Sequence, residues 1–286
     1  MARILVTGGA GYIGSVATAR LLDAKHDVTV IDNLSTGHRL ALPSGLLMEA
    51  DLSDEQALEK LFSAEKFDAV MHFASHCYVE ESVKNPRKYF EGNVGNGLKL
   101  FGAMLRHGVR NFILSSTCAT YGTPDQIPIK EDTPQQPINP YGESKLFLER
   151  ILTAYDSAFG LRSIFLRYFN ACGASLDGKF GESHDPETHL VPRVLRATTG
   201  NFELTVYGDD YDTPDGSCIR DYIHVEDLAT AHLAAVERLL QGKGSGAFNL
   251  GAGKGLSVRE IIAAAEKVTG RKVCYRIGRR RNGDPP

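Results

Sequence analysis

The sequence Gly8-Gly9-Ala10-Gly11-Tyr12-Ile13-Gly14 lies between a short apolar run, Ile4–Thr7, and a segment with the pattern of a helix, Ile13–Ala24. Glycines allow a tight turn and a close approach of backbone to a pyrophosphate, and the amino end of a helix offers unpaired N–H groups to the anion. A glycine cluster alone is weak evidence, but its place between strand and helix predicts a dinucleotide-binding turn. We expect cofactor contacts from Gly8, Gly11, Tyr12, Ile13 and Gly14.

An acidic residue, Asp32, ends the second apolar run, Val28–Ile31. A carboxylate at this place can accept hydrogen bonds from the adenosine ribose and would repel a 2′-phosphate, which favours NAD over NADP. The nearby His38 and Arg39 leave NADP open, and a solvated aspartate is the plainer interpretation. Asp51 follows the third strand, where it could bond adenine or cap the next helix.

The first two-thirds of the chain alternates predicted strands and helices, which indicates an α/β protein with a doubly wound parallel sheet. After Asn170 glycine, aspartate and proline become frequent, and three helices alternate with short strands. We therefore predict a nucleotide-binding domain over 1–170 and a smaller substrate-binding domain over 171–286, with some chain crossing between them. The predicted strands of the first domain are Ile4–Thr7, Val28–Ile31, Leu46–Glu49, Ala69–Phe73, Asn111–Ser115 and Ser163–Tyr168, and a long helical stretch is broken near Gly92–Gly97.

Bulk properties exclude several classes of partner. The formal net charge of −3 gives no global attraction to nucleic acid or to an anionic membrane. No run of about 18 apolar residues predicts a membrane span, and the start of the chain lacks the pattern of a signal peptide. The five scattered cysteines show no paired spacing, which is typical of reduced thiols in a cytoplasmic protein.

The sequence Tyr141-Gly142-Glu143-Ser144-Lys145 places a tyrosine and a lysine four residues apart on a predicted helix, and therefore on one face. A free tyrosine has a pKa of about 10, but a neighbouring ammonium and a cationic nicotinamide both favour the phenolate. Tyr141 could then take a proton from a sugar hydroxyl while a hydride leaves the same carbon. Thr117 follows the fifth strand, at the edge where ligands bind in such sheets, and its hydroxyl can bridge substrate and Tyr141. An exposed aromatic beside a solvated lysine is the simpler alternative.

A metal site is a weaker hypothesis. His72, His76 and Cys77 are close in sequence, and His184 and His189 lie downstream. His72 ends a predicted strand whereas His76 begins a loop, so their side chains need not converge. We expect no metal.

These residues resemble the extended short-chain dehydrogenase/reductase superfamily, and within it the UDP-hexose 4-epimerases, over nearly the whole chain. The resemblance implies a Rossmann domain with tightly held NAD, which takes a hydride from C4 of a UDP-sugar and returns it to the other face after the 4-keto sugar rotates. It also suggests a homodimer formed by helices beside the catalytic one. The most specific stretches are Thr7–Ser15, His72–Ala74, Ser115–Gly122, Pro140–Lys145, Leu166–Asn170 and Asp215–Val225, of which Ser116–Gly122 is similar to UDP-arabinose 4-epimerases.

The resemblance implies a role for each matching residue. Tyr141 is the base, Lys145 the electrostatic and ribose partner, and Thr117 the hydroxyl donor. Arg220 and Arg281 are expected to clamp the diphosphate, although Arg281 in a basic tail would otherwise be interpreted as solvated. The remaining expected contacts are Asn170, His189 and Leu190 with the UDP-sugar, and Asn33, Asp51, Leu52, Phe73 and Ala74 with the cofactor.

The chain departs from the family pattern at several positions. Thr117 stands where serine is usual, and Cys77 replaces a lysine that is often near the nicotinamide ribose. Gly92 and Gly95, and His189 in the uridine loop, stand where asparagine is usual. Relatives continue beyond the position of Pro286, so a truncated carboxyl end is one expectation.

Three alternatives stay open. Sugar-nucleotide dehydratases and decarboxylases share the Tyr–Lys pair. The resemblance implies that these enzymes carry an acidic residue just after the active-site hydroxyl, where this chain has Cys118 and Ala119. A non-catalytic nucleotide sensor would need neither Tyr141 nor Lys145. The natural sugar could instead be UDP-arabinose, UDP-xylose or a UDP-N-acetylhexosamine.

Overall fold

Seven parallel strands form the central sheet, in the spatial order β10-β6-β5-β4-β1-β2-β3. The structure is a computed structural model, and it describes residues 1–280. The order of the strands reverses between β1 and β4, as expected for a doubly wound sheet. The strands are β1 Arg3–Thr7, β2 Asp27–Asp32, β3 Leu47–Glu49, β4 Ala69–His72, β5 Asn111–Thr117, β6 Arg162–Tyr168 and β10 Gly246–Leu250.

Helices cover both faces of this sheet. Successive residues of a strand point to opposite faces, so Leu5 packs with α2, α5 and α6 on one side while Ile4 packs with α1 and α8 on the other. The helices are α1 Tyr12–Asp23, α2 Glu55–Ala64, α3 Val79–Lys84, α4 Pro86–Tyr89, α5 Asn96–Arg106, α6 Pro140–Phe159, α7 Leu190–Ala197, α8 Val225–Leu240 and α9 Val258–Thr269.

Smaller sheets follow β6. Strands β7 Asn170–Cys172, β9 Ile219–His224 and β11 Gly255–Ser257 form one, and β8 Leu204–Tyr207 pairs with β12 Tyr275–Gly278 in another. Helices α7 and α9 pack with β8 around a separate apolar cluster. Although α8 and β10 come late in the sequence, they belong to the large sheet and its covering layer. The division at residue 170 stays a prediction.

The predicted fold class is confirmed, with two differences in detail. Strands β7, β9 and β11 were not expected from the pattern, because their residues are only partly buried and do not form apolar runs. The predicted break at Gly92–Gly97 is wrong: a π-helical turn, Phe90–Gly95, leads directly into α5. The glycines allow close packing there, since a Cβ on Gly97 would lie 2.7 Å from the Leu148 side chain.

Within residues 1–280, no helix combines the length and the apolar character that a membrane crossing requires.

Candidate active site

The carboxyl ends of the central strands bring the predicted site residues to one edge of the sheet. Asp32 is the last residue of β2 and Thr117 the last residue of β5, while Asn170 begins β7 just beyond β6. Ligands of open α/β sheets bind at this edge, next to the position where the strand order reverses. The sheet itself therefore assembles residues that are more than 100 positions apart in sequence.

The glycine turn after β1 is packed so closely that side chains are excluded. A Cβ on Gly8, whose φ is +72°, would lie 2.5 Å from the backbone nitrogen of Ala74, and a Cβ on Gly14 would lie 2.3 Å from the carbonyl oxygen of Gly8. In the described chain no side chain caps the amino end of α1 at Gly11, and its first turn holds no acid. A backbone cradle at an uncapped helix end fits a dinucleotide pyrophosphate.

The Asp32 carboxylate is buried and held by the backbone on both sides. Its Oδ2 accepts a hydrogen bond from the N–H of Ala10 at 2.9 Å and its Oδ1 accepts one from Leu34 at 2.8 Å. Each carboxylate oxygen has a second lone pair that can accept a hydrogen bond from a ribose hydroxyl. The ribose contact expected of Asp32 stays a prediction. Arg39, which was considered as a possible partner for the 2′-phosphate of NADP, forms an ion pair with Glu49.

The structure contradicts one of the two roles considered for Asp51, and the adenine contact stays a prediction. The cap of α2 is Asp54, whose carboxylate accepts from the N–H groups of Gln56 and Ala57, so the capping role of Asp51 is wrong. Asp51 instead accepts a hydrogen bond from the side-chain amide of Asn33 at 2.6 Å. Burial would raise the pKa of Asp51, but hydrogen bonds, chiefly from Ser53, lower it overall. The Asn33–Asp51 pair therefore keeps an ionised carboxylate beside the end of β2.

The segment after β4 packs against the end of β1. The N–H groups of Phe73 and Ala74 both donate to the carbonyl oxygen of Thr7, at 2.8 and 3.1 Å. The Thr7 hydroxyl also bonds Nδ1 of His72 at 2.7 Å. Burial lowers the pKa of His72 to about 3, so its ring is neutral. Leu52 is buried in the core beneath this edge.

The amino end of α6 brings Tyr141 to Thr117. The side chain of Asn139 caps the helix by accepting the N–H of Gly142 at 2.9 Å. Gly142 allows the helix to lie against the turn after β5, because a Cβ there would be 2.5 Å from the carbonyl oxygen of Ala119. The phenol of Tyr141 lies close enough to the Thr117 hydroxyl for that hydroxyl to lower its pKa, against the larger effect of burial. The predicted base and the predicted hydroxyl donor are thus neighbours.

Lys145 lies on the same helix, but its ammonium group donates hydrogen bonds to Ser75 and Ser115. Its Nζ donates to Oγ of Ser75 and to the carbonyl oxygen of Ser115, both at 2.8 Å, and burial lowers its pKa to about 8. Burial raises the pKa of Tyr141 well above its ordinary value, while the hydrogen bond with Thr117 lowers it. Desolvation therefore dominates the pKa of Tyr141 in the chain alone, and the expectation that Lys145 shifts Tyr141 towards the phenolate stays a prediction.

A buried ion pair behind the site was not anticipated. Arg167 of β6 bonds both carboxylate oxygens of Glu149 on α6, and Ser116 donates to the same carboxylate at 2.5 Å. Nη1 of Arg167 also donates to the phenol of Tyr121 at 2.8 Å. The sequence signal was available: Arg167 interrupts an apolar strand, and Glu149 follows Lys145 by four residues on the same helix face.

The predicted substrate residues lie on β7, on β9 and at the start of α7. The amide of Asn170 donates to the carbonyl oxygen of Asp221 at 2.9 Å, and Arg220 of β9 is near enough to Cys118 to affect its pKa. His189 occupies the N-cap position of α7 without a side-chain capping hydrogen bond, and Leu190 is the first residue of that helix. The prediction for Arg281 falls outside the described residues.

Comparisons with known proteins agree with this geometry. The model of the NAD dependent epimerase/dehydratase family matches residues 4–251. A UDP-glucose 4-epimerase of Lacticaseibacillus casei is 50% identical over 284 residues, which are 99% of this chain and 86% of that protein.

Solved structures give the same result. A UDP-glucose 4-epimerase from Brucella ovis in complex with NAD has a TM-score of 0.97 at 50% identity, covering 100% of this chain and 88% of that one. A UDP-glucose 4-epimerase from Bifidobacterium longum, in complex with NAD+ and UDP, has a TM-score of 0.93 at 40% identity, covering 99% and 88%.

Proposed function

Since this chain belongs to the NAD-dependent epimerase/dehydratase family, we propose that it is an isomerase that inverts the C4 hydroxyl of a UDP-sugar, interconverting UDP-galactose and UDP-glucose. The observation that carries the proposal is the pairing of Tyr141 with Thr117 beside the glycine turn, at the carboxyl edge of the sheet. Two relatives that are 50% identical over 99% of this chain are UDP-glucose 4-epimerases.

Bound at the glycine turn, NAD would accept the hydride from C4 and later return it. Tyr141 would take the proton of the C4 hydroxyl through its phenol oxygen, and Thr117 would orient that hydroxyl by a second hydrogen bond. On the return step the same phenol would give the proton back. Because no other base is required, the two half-reactions use one set of side chains.

Removal of the C4 hydroxyl proton by Tyr141 depends on the protonation state of its phenol. Burial among the residues of the chain holds the phenol neutral, so proton removal requires positive charge that arrives with the oxidised cofactor. Lys145 supplies two of its three N–H donors to Ser75 and Ser115, which leaves one for a ribose hydroxyl. We assign Lys145 to cofactor placement before proton transfer.

Dehydration is not favoured by the residues after Thr117. Cys118 carries no charge at neutral pH, because burial raises the pKa of its thiol to about 11, and Ala119 has no ionisable group. A dehydratase needs an acid to expel the C6 hydroxyl. A nucleotide sensor would not need the Tyr141–Thr117 pair.

Two further properties belong to this proposal. A homodimer through α5 and α6 is supported by Leu98 and Phe147, which expose 41% and 36% of their surface there. A cytoplasmic location is supported by five free cysteines.

The decisive experiment is to incubate the purified chain with UDP-galactose, without added cofactor, and to follow products by proton NMR. We expect UDP-glucose to form until the ratio of the two UDP-sugars becomes constant. A 4-keto-6-deoxy product would reject epimerisation in favour of dehydration. UDP-arabinose and UDP-N-acetylgalactosamine, tested in parallel, would rank the natural sugar, and no turnover of any UDP-sugar would support a sensor.

A further inference from the structure

Two histidines and two glutamates meet in the segment between β7 and the start of α7. We call Glu182, His184, Glu187 and His189 the His–Glu cluster. Each side chain offers one ligand atom, and these atoms all lie within 4.8 Å of one another. The proton-transfer scheme gives none of the four a role, although the family resemblance implies that His189 also contacts the UDP-sugar.

The distances within the cluster suit a common centre. Nδ1 of His189 lies 2.7 Å from Oε1 of Glu182 and 3.1 Å from Oε1 of Glu187. Nδ1 of His184 lies 3.4 Å from Oε1 of Glu182 and 3.5 Å from Oε2 of Glu187. Both imidazoles therefore face the same two carboxylates.

The cluster is partly buried, with the His189 side chain exposing 40% of its surface, and it is not fully satisfied. The side chains of Glu182 and Glu187 expose only 7% and 12% of their surface. Within the described chain, Nδ1 of His184 is inaccessible to solvent and makes no hydrogen bond of acceptable geometry. The His184 nitrogen therefore lacks a partner that a metal ion could supply.

We propose that the His–Glu cluster binds one Zn²⁺ ion. Imidazole nitrogen and carboxylate oxygen are both zinc ligands, with bond lengths of about 2.0–2.2 Å, and tetrahedral coordination at those lengths separates neighbouring ligand atoms by about 3.4 Å. The two His184 distances already match that separation. The two His189 distances need to widen by less than about 1 Å, as the proton held between His189 and the glutamates is displaced by the metal.

The position of the cluster indicates a structural role for the ion. The His184 ring packs edge-on against Tyr12, at the amino end of α1, and against Tyr78, in the segment after β4. His189 occupies the N-cap position of α7 and precedes Leu190. Zinc would fix the path from β7 to α7 against the dinucleotide turn, leaving the reacting atoms to Tyr141 and Thr117. This inference is independent of which sugar reacts.

The test uses the untagged full chain with its resident dinucleotide. After dialysis against a chelator, zinc is titrated by calorimetry and the bound metal is counted by mass spectrometry. We expect about one zinc per chain and a higher thermal unfolding midpoint with zinc. His184→Gln and Glu182→Gln should each weaken zinc binding at least about 10-fold.

His107→Gln is the matched control, because His107 forms a similar pair with Glu59 at 2.6 Å outside the cluster. It should bind zinc as the unmodified chain does. Uptake of no zinc by the chelated chain, or equal affinity in the chain and in the folded Glu182→Gln variant, would overturn the proposal. If the cluster variants do not fold, the test uses the unmodified chain loaded with cobalt. Its visible spectrum should show the intense bands of a tetrahedral site, and the absence of these bands would reject the proposed site.

Discussion

Glu149 of α6 and Arg167 of β6 form a buried ion pair in which Nη2 lies 2.6 Å from Oε2, and the two side chains expose 4% and 7% of their surface. The pair joins the helix that carries Tyr141 and Lys145 to the strand beside Thr117. Because Ser116 also donates to Glu149, the ends of β5, β6 and α6 are tied at one point. The ion pair therefore positions the active-site residues without touching them.

Breaking this pair should destabilise the protein strongly. Arg167→Met leaves Glu149 as an uncompensated buried charge, so we expect the free energy of unfolding to fall by about 3–5 kcal/mol in denaturant titrations. The double variant Glu149→Met with Arg167→Met should recover much of that loss, since it removes both charges.

An exposed ion pair supplies the comparison. Arg87 and Glu91 are more than half exposed on the surface, and Arg87→Ala should cost at most about 1 kcal/mol. Equal losses for Arg87→Ala and Arg167→Met would show that the buried pair has no special structural role.

Tyr141→Phe should keep the cofactor but lose turnover. The substitution removes one phenol oxygen, and general acid–base groups contribute about 10²–10⁴-fold to rate. We expect kcat to fall by that factor while bound NAD, measured after denaturation, stays near that of the unmodified chain. Tyr155→Phe, on the same helix but packed against Phe101 and Phe159, is the control. Normal turnover in Tyr141→Phe would remove it from the mechanism.

Gly14→Ala should weaken cofactor binding. The new Cβ would lie 2.3 Å from the carbonyl oxygen of Gly8 and 2.9 Å from Cα of Gly9, so the turn must move. Overpacking of this kind costs about 1–3 kcal/mol, and we expect about 10- to 100-fold weaker NAD binding by calorimetry. Gly102→Ala in α5 meets only the end of the Arg106 side chain and should leave binding unchanged. Full NAD occupancy in Gly14→Ala would contradict the assignment of the turn.

His232 should make stability depend on pH. Burial lowers its pKa to about 4, whereas an unfolded histidine has a pKa of about 6.5. Between these values the unfolded chain binds the extra proton, so stability falls as pH falls, by about 1.4 kcal/mol per pH unit for this group.

The variant His232→Phe isolates this effect. Its free energy of unfolding should change less steeply than that of the unmodified chain between about pH 6.5 and about pH 4. Measurement at pH 8, where the ring is neutral in both states, gives the packing difference separately. Identical slopes for the two proteins would show that His232 is not the group responsible.

The motifs with local physical causes were predictable. The glycine turn, Asp32 and the Tyr–Lys spacing depend on neighbours in sequence, and the central sheet follows from the alternation of apolar runs and helical patterns. Strands β7, β9 and β11 were missed because partly buried strands lack that pattern. The helical break near Gly92–Gly97 was predicted wrongly, because a glycine such as Gly97, which allows Leu148 to approach, looks the same in sequence as one that ends a helix.

The doubly wound sheet and the chemistry available at its edge were predictable from residue order, since periodicity and residue type are properties of short segments. Which charges meet is set by the folded chain. The balance between desolvation and hydrogen bonding at Tyr141, the pairing of Glu149 with Arg167, and the convergence of Glu182 and Glu187 on His184 and His189 all require folding. Electrostatic interactions depend on distance through space and on burial, and neither quantity is set until the strands have packed.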